Sequence, residues 1–419
     1  MPLTRADRAK ILQSIKKLVP ERHINVINLN QDYKQWVALV DQKTPGLINT
    51  EDVNLFEKGV SELLAALRSS HTAFYHSRGS GVPAPHAISA TLQSVQTSEG
   101  NRWMFLDVVE DGVAARAGIQ PGELLFSVDS SLLLPPVQPK FSIGGQHRLQ
   151  VGKAAGESRE VLVEVPNRAA KNRPPMIEPR SISHRMLDES IGLVKVASFP
   201  GSVGQTFAKR LTGVVEELKR GGADRLIVDI RGNVGGGLGS LRLMSYFCPG
   251  KLEIGHSLTR RRLQSGYQKE KLTRIGRIPA SKAELLMMAL RFRVIQKDRS
   301  MVLVTEGLGP QPFHGRIVIL VNEHSHSAAE MVASFAKENH LATLVGVRTG
   351  GQVLGGASFK LVSGYQLRMP VAGWYTWKGE CIEGKGVEPD VPVGISPESL
   401  ACGVDDQLNA AISAVQSLK

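Results

Sequence analysis

The sequence predicts an α/β core preceded by a helical segment and interrupted by a strand-rich insertion. Three observations predict it. Short apolar runs at Ile191–Val196, Leu226–Ile230 and Ile317–Val321 read as strands buried in a sheet. Between the first two, Thr206–Arg220 keeps helical spacing, with Phe207, Leu211, Val214, Val215 and Leu218 on one face and Gly221-Gly222 ending it. The second strand empties into Arg231-Gly232-Asn233-Val234-Gly235-Gly236-Gly237, and strand–helix–strand with a glycine-rich exit is an α/β pattern.

Composition bounds the rest. A chain of 419 residues can hold two or three domains, and 42% hydrophobic with 21% charged residues is ordinary for a globular protein. No apolar run approaches the about 18 residues of a membrane span. The N-terminus is charged and helical in pattern, without the apolar centre of a signal peptide, so the chain as written reads as cytoplasmic. Removal of an upstream segment would make an extracytoplasmic site compatible with the same sequence. Cys248, Cys381 and Cys402 have neither disulfide-framework nor metal-type spacing. The net charge of +12 is concentrated from Arg260-Arg261-Arg262 through Lys269, Lys271, Arg274 and Arg277. That stretch lacks the aromatic interleaving of a nucleic-acid surface and reads as a solvated face; no nucleic-acid partner is expected. Oligomeric state leaves no signature.

In chain order, residues 1–78 read as helical. Phe56, Val60, Leu63, Leu64 and Leu67 form one apolar stripe that runs toward Ser70-His71-Thr72, which places His71 near a helix end. An imidazole there has a purely electrostatic explanation.

Residues 79–166 begin with the Gly79–Pro85 linker and continue as strands at Ala90–Val95, Met104–Val109, Leu124–Val128, Arg148–Val151 and Val161–Val165. Between two of them, Ala114-Ala115-Arg116-Ala117-Gly118 and Pro121-Gly122-Glu123 resemble a PDZ domain: a short helix of small residues, a turn glycine, then a Pro-Gly-acidic turn into a strand. PDZ domains take an extended C-terminal peptide as an added strand. A β domain that merely packs on its neighbour fits the same residues.

Residues 166–186 read as a polar, proline-containing connection, and 187–400 as the α/β core. The loop after Ile230 lacks the signatures of a nucleotide loop, but its exposed amides suit an oxyanion or a peptide carbonyl. Residues 251–313 read as a long insertion with a helix around Ala283–Val294. Strands follow at Thr343–Val347, Phe359–Val362 and Gln366–Pro370. Residues 401–419 carry a closing helix from about Asp405 to Val415.

The centre of this order is Val318–Ala342. A buried strand runs into Asn322-Glu323-His324-Ser325-His326, and Ser327-Ala328-Ala329-Glu330 opens a helix. Ser327 with Glu330 three residues on is a capping box. It is equally a way to present a nucleophile, because the unpaired amides and dipole of a first helical turn favour oxyanion charge.

Ser70-His71-Thr72, Asp229-Ile230-Arg231-Gly232-Asn233-Val234-Gly235-Gly236, Ser327-Ala328-Ala329-Glu330 and Glu383-Gly384-Lys385-Gly386-Val387-Glu388-Pro389-Asp390 occur in this order. With a PDZ-like segment after the first, the set resembles the C-terminal processing (tail-specific) serine peptidases over roughly residues 50–395. That family includes the catalytic core of the tricorn protease. The resemblance implies a crotonase/ClpP-like α/β catalytic core and a serine endopeptidase acting on proteins or peptides, with no cofactor or metal and with Ser327 as nucleophile.

One departure bears on mechanism. Where the processing branch carries a general-base lysine, this chain has Gln352, and an amide is no base near neutral pH. The Ser-Ala-Ala-Glu and Thr-Gly-Gly forms are similar to the tricorn-like branch, which implies a histidine base before the PDZ-like segment, here His71. The same resemblance implies that Ser70 and a glutamate, Glu383 with Glu388 as competitor, orient the histidine. It also implies that the amides of Gly236 and Ala328, with Gly235 as alternative, form the oxyanion hole.

Two other readings stand beside this one. Gln352 is equally compatible with a catalytically inactive scaffold that binds peptides. The basic insertion, read as a nucleic-acid surface, predicts steeply salt-dependent retention on heparin or DNA. His324 and His326 have the spacing of a zinc pair but no supporting carboxylate or cysteine, and His326 is poorly placed to serve its neighbour as base.

Overall fold

The computed structural model describes residues 3–24, 30–76, 81–153, 156–167, 180–201, 203–290 and 300–418. They form a mixed α/β structure that divides into two compact units: Met1–Ser80, Glu253–Val304 and Gly351–Gly386 in the first, and Gly81–Leu252, Thr305–Gly350 and Val387–Lys419 in the second. No helix among the described residues is long and apolar enough to cross a membrane.

The first unit pairs helices with a sheet. Helix Arg5–Arg22 starts at a reciprocal Thr4–Asp7 capping box, and helix Val53–Ala65 starts at Asp52, whose side chain accepts two amides. Ile11, Ile15 and Val19 of the first pack with Phe56, Val60 and Leu63 of the second, and with Leu367 and Met369 from the sheet. The strand order is Ala73–His76, Tyr365–Thr376, Glu253–Thr259, Met301–Val304, Thr273–Ile275, with Gly355–Lys360 also pairing with Tyr365–Thr376.

The helical reading of residues 1–78 fails at its end. The helix stops at Ala65, and Ala73–His76 is a strand antiparallel to Tyr365–Thr376, held by Phe74 stacked on Tyr365 at 4.9 Å. The stretch 251–313 supplies three strands as well as helix Lys282–Leu290; positions 291–294 of the expected helix lie outside the described residues. Leu258, Leu272, Val302 and Val304 are the apolar reason these strands form, but their spacing is too sparse to read locally. Three cations of that stretch have partners: Lys269 lies 4.1 Å over the Trp377 ring, Arg274 pairs with Glu253, and Arg277 with Glu284.

The second unit holds a sheet ordered Ile182–Met186, Ile191–Val196, Arg225–Asp229, Ile317–Val321, Thr343–Gly346, Val391–Pro392. All pairs but the first are parallel. Helix Gln205–Arg220 connects Ile191–Val196 to Arg225–Asp229, and helix Asp406–Ser417 seats Ala411 and Val415 against Ile227, Val318 and Leu320. The connection read at 166–186 therefore ends in an edge strand anchored by buried Ile182; positions 168–179 lie outside the described residues.

The same unit contains a small antiparallel β domain, ordered Ala90–Thr97, Gly100–Val108, Leu124–Val128, Gln146–Gly152, Ser158–Glu164. Leu92, Phe105, Leu125, Leu149 and Val163 fill its interior, and Val113–Arg116 is its small-residue helix. Gly122 is required in the turn before Leu124–Val128. Its φ is +86°, and a Cβ there would come 2.6 Å from the backbone of Ala401.

Candidate active site

Arg225–Asp229 and Ile317–Val321 are parallel neighbours, so the loops leaving their carboxyl ends emerge side by side, where open α/β sheets place ligands. Polar side chains stitch the two loops together. The Asn322 Oδ1 accepts the Gly232 and His324 N–H groups at 3.0 and 3.1 Å. Ser325 accepts the Asn322 N–H and donates to the Ile230 carbonyl at 2.8 Å, and the His326 N–H donates to Asn233 at 2.8 Å. Arg231, buried, pairs with Asp229 and with Asp405 at the start of the last helix. Burial opposes the charge on Asp229, but the Arg231 guanidinium holds its carboxyl below the usual range.

Ser327 heads helix Ala328–Glu338 with φ 55° and ψ −115°. An ordinary N-cap residue has extended backbone. The left-handed φ of Ser327 is instead a strained conformation that costs about 1–3 kcal/mol and persists only where its surroundings impose it. Those surroundings are visible. Fully buried Glu330 accepts the Ser327 N–H at 3.1 Å with one carboxylate oxygen and the Thr349 hydroxyl at 2.7 Å with the other. Gly235, at φ +90°, passes so close that only a glycine fits against Ser327.

The glycine loop also sorts its amides. Gly235 donates to the Asn233 Oδ1 at 2.8 Å, and Gly237 to the Phe199 carbonyl at 2.8 Å. Among the described residues neither the Gly236 N–H nor the Ala328 N–H has an acceptor. A Cβ on Gly236 would fall 2.0 Å from the Phe199 oxygen, so this backbone also needs glycine.

In the first unit, His71 lies in the turn between helix Val53–Ala65 and strand Ala73–His76, at φ 59°. The Ser70 Oγ is 2.9 Å from its Nδ1. Glu383 accepts the Ser70 N–H at 3.0 Å and the Val353 N–H at 2.8 Å, so it fixes the backbone of the serine. Burial, and then the Arg368 guanidinium, push the His71 pKa down to about 4, which keeps the imidazole neutral at pH 7. Glu388 belongs to the second unit, where it faces Arg348 at 3.7 Å. The structure thus groups Ser70, His71 and Glu383 in one unit, and Ser327, Ala328 and Gly236 in the other.

Several participants carry no sequence signal. Buried His23 holds Ser69 at 2.9 Å, and Ser69 in turn meets Thr72 at 3.0 Å, bracketing Ser70-His71. Asn322 and Asn233 likewise sit in loops whose spacing reveals nothing about their partners. His324 and His326 have ring centroids 6.3 Å apart. Among the described residues no three His, Cys, Asp or Glu side chains gather where they could hold a metal ion.

Comparison with known proteins adds the following. Residues 190–393 match the family described as Peptidase family S41. The carboxy-terminal processing protease CtpA of Bacillus subtilis is 24% identical over 372 residues, 87% of this chain and 68% of that protein. The tricorn protease of Thermoplasma volcanium is 36% identical over 113 residues, 26% of this chain and only 11% of that protein. Among solved structures, the photosystem II D1 C-terminal processing protease superposes with a TM-score of 0.56 at 15% identity, covering 98% of this chain and 97% of that one. That likeness is one of fold.

Proposed function

We propose that the chain, whose residues 190–393 match peptidase family S41, is a serine endopeptidase in which Ser327 is the nucleophile and His71 its general base. The observation that carries the reading is the left-handed backbone of Ser327 at a strand-to-helix turn, a conformation a simple helix cap does not need.

The chemistry follows. The Ser327 Oγ attacks the scissile carbonyl carbon as its proton passes to the His71 Nε2. Neutral His71 is able to take that proton, and the Ser70 Oγ, 2.9 Å from its Nδ1, can accept the N–H of the tautomer that leaves Nε2 free. The oxyanion of the tetrahedral intermediate is met by the N–H groups of Gly236 and Ala328, neither of which has an acceptor among the described residues. Gly235 is the weaker candidate because its amide is committed to Asn233. Collapse breaks the C–N bond, and the imidazolium returns its proton to the leaving amine. Water then repeats the sequence on the acyl-enzyme. Glu383 acts through the backbone of Ser70, and Gln352 leaves the lysine of the other branch without a counterpart.

The small β domain recognises substrate termini. Ala90–Thr97 lies at one edge of its sheet, the position at which an extended peptide adds as a further strand.

The test is hydrolysis of casein and of peptides with free C-termini by wild type, Ser327→Ala and His71→Ala. Cleavage by wild type and none by either variant is expected. A wild type that binds peptides and cleaves none would establish the scaffold reading that Gln352 motivates.

A further inference from the structure

One buried carboxylate of the β domain reaches the loops that carry the proposed nucleophile and oxyanion hole. Asp107, on strand Gly100–Val108, is 8% exposed, and its Oδ2 accepts the Asn322 Nδ2–H at 3.0 Å and the Thr91 hydroxyl at 2.5 Å. Its own N–H donates back to the Thr91 oxygen at 3.1 Å.

Two further observations make this more than a chance pairing. Ala90 pairs with Val108 but Leu92 with Phe105, so the Gly100–Val108 strand carries an extra residue opposite Thr91. Such a bulge re-aims a side chain, and here Thr91 and Asp107 are the residues at it. Gly232, at φ +67°, also comes so close that a Cβ on it would stand 2.8 Å from the Asp107 carboxylate.

The orientation of Asn322 then follows by elimination. Its Oδ1 is taken by the Gly232 and His324 amides, so its NH2 must find an acceptor elsewhere, and Asp107 supplies it. Removing that acceptor leaves a fully buried amide donor unsatisfied, which loosens the side chain whose Oδ1 holds both loops.

We infer that Asp107 is a positioning residue for the peptidase reaction. Anchored by Thr91 on the edge strand, it fixes Asn322 and thereby the register of the Gly232–Gly236 loop against the Ser327 turn. The inference rests on the reading in which Ser327 is the nucleophile.

The test compares Asp107→Ala, Asp107→Asn and Thr91→Val with wild type by kcat, KM, thermal midpoint and the rate at which a fluorophosphonate labels Ser327. Asp107→Ala is expected to lower kcat and labelling about 10- to 100-fold with KM unchanged, the scale of a small misplacement of reacting groups. Asp107→Asn keeps an acceptor oxygen and is expected to restore both. A purely structural role would lower the thermal midpoint of Asp107→Ala and leave kcat of the folded protein intact, which would overturn the inference. So would a Asp107→Asn variant as impaired as Asp107→Ala. If Asp107→Ala does not fold, Thr91→Val decides: a fall in kcat of about three- to tenfold, the worth of one hydrogen bond, supports the inference, and an unchanged kcat overturns it. A wild type that is not labelled at Ser327 overturns the proposed function, and this inference with it.

Discussion

A Cβ added to Gly235 would stand 2.6 Å from the Cβ of Ser327, closer than two such atoms can approach. The glycine loop and the serine turn therefore share one steric solution, and Gly235→Ala is predicted to break it. The substitution also strains a φ of +90°, for which a side chain costs roughly 1–2 kcal/mol. Fluorophosphonate labelling of Ser327 is expected to fall about 100-fold while far-UV circular dichroism stays native. A variant labelled at the wild-type rate would show that the contact has no bearing on Ser327.

Ser70→Ala tests the orientation of the imidazole. The Ser70 Oγ is the partner of the His71 Nδ1, at 2.9 Å. Losing it is expected to lower kcat about tenfold, or about 1.4 kcal/mol in the barrier, with KM little changed. Steady-state kinetics on one peptide substrate checks this; a change confined to KM would assign Ser70 to substrate binding.

Stability should fall with acid in a defined window. Burial first, with neighbouring cations second, pushes His23, His71 and His256 down to about 4. Above the ordinary histidine pKa near 6.5 both folded and unfolded states are neutral there, so these groups contribute no pH dependence. Between about 6.5 and 4 the unfolded chain takes up protons that the folded one does not, and stability drops as pH falls. Urea midpoints measured at pH 8.5, 7.5 and 5 are expected to be nearly level between the first two and lower at the third. For the same reason kcat/KM should hold on the acid side to below pH 6 before His71 protonates. An acid limb centred at 6.5 would contradict the burial of His71.

Arg231→Met isolates a buried charge. Asp229 is left without its guanidinium at 4% side-chain exposure, and Asp405 loses its link to the loop. Breaking one side of a buried pair typically costs about 3–5 kcal/mol, which a denaturant midpoint reads directly. A midpoint equal to wild type would mean that the pair adds nothing to the folded state.

What was legible in the sequence follows from distance along the chain. The strand Ile317–Val321 and the helix behind Ser327 are local patterns, and both occur where periodicity puts them. The strained backbone of Ser327 has no local signature, since a capping box and a nucleophile turn use the same letters. Ser70 and His71 are singled out only by a family resemblance, and periodicity alone carries the preceding helix too far. Tertiary pairing with Tyr365–Thr376 overrides it at Ala73. The strands at Glu253–Thr259 and Met301–Val304 were missed because they are short and pair with distant segments. Asp107 and Asn322 are 215 positions apart, and His23 and Ser69 are 46 apart; no spacing rule reaches that far.

A Ser327 nucleophile activated by His71 has a direct chemical signature. The most direct measurement is the rate at which a fluorophosphonate labels the intact protein, with the modified residue located by peptide mass spectrometry, in wild type, Ser327→Ala and His71→Ala. Modification at Ser327 is expected in wild type, none in Ser327→Ala, and a rate about 10²–10⁴-fold lower in His71→Ala. Labelling of His71→Ala at the wild-type rate, or modification of a residue other than Ser327, would contradict it.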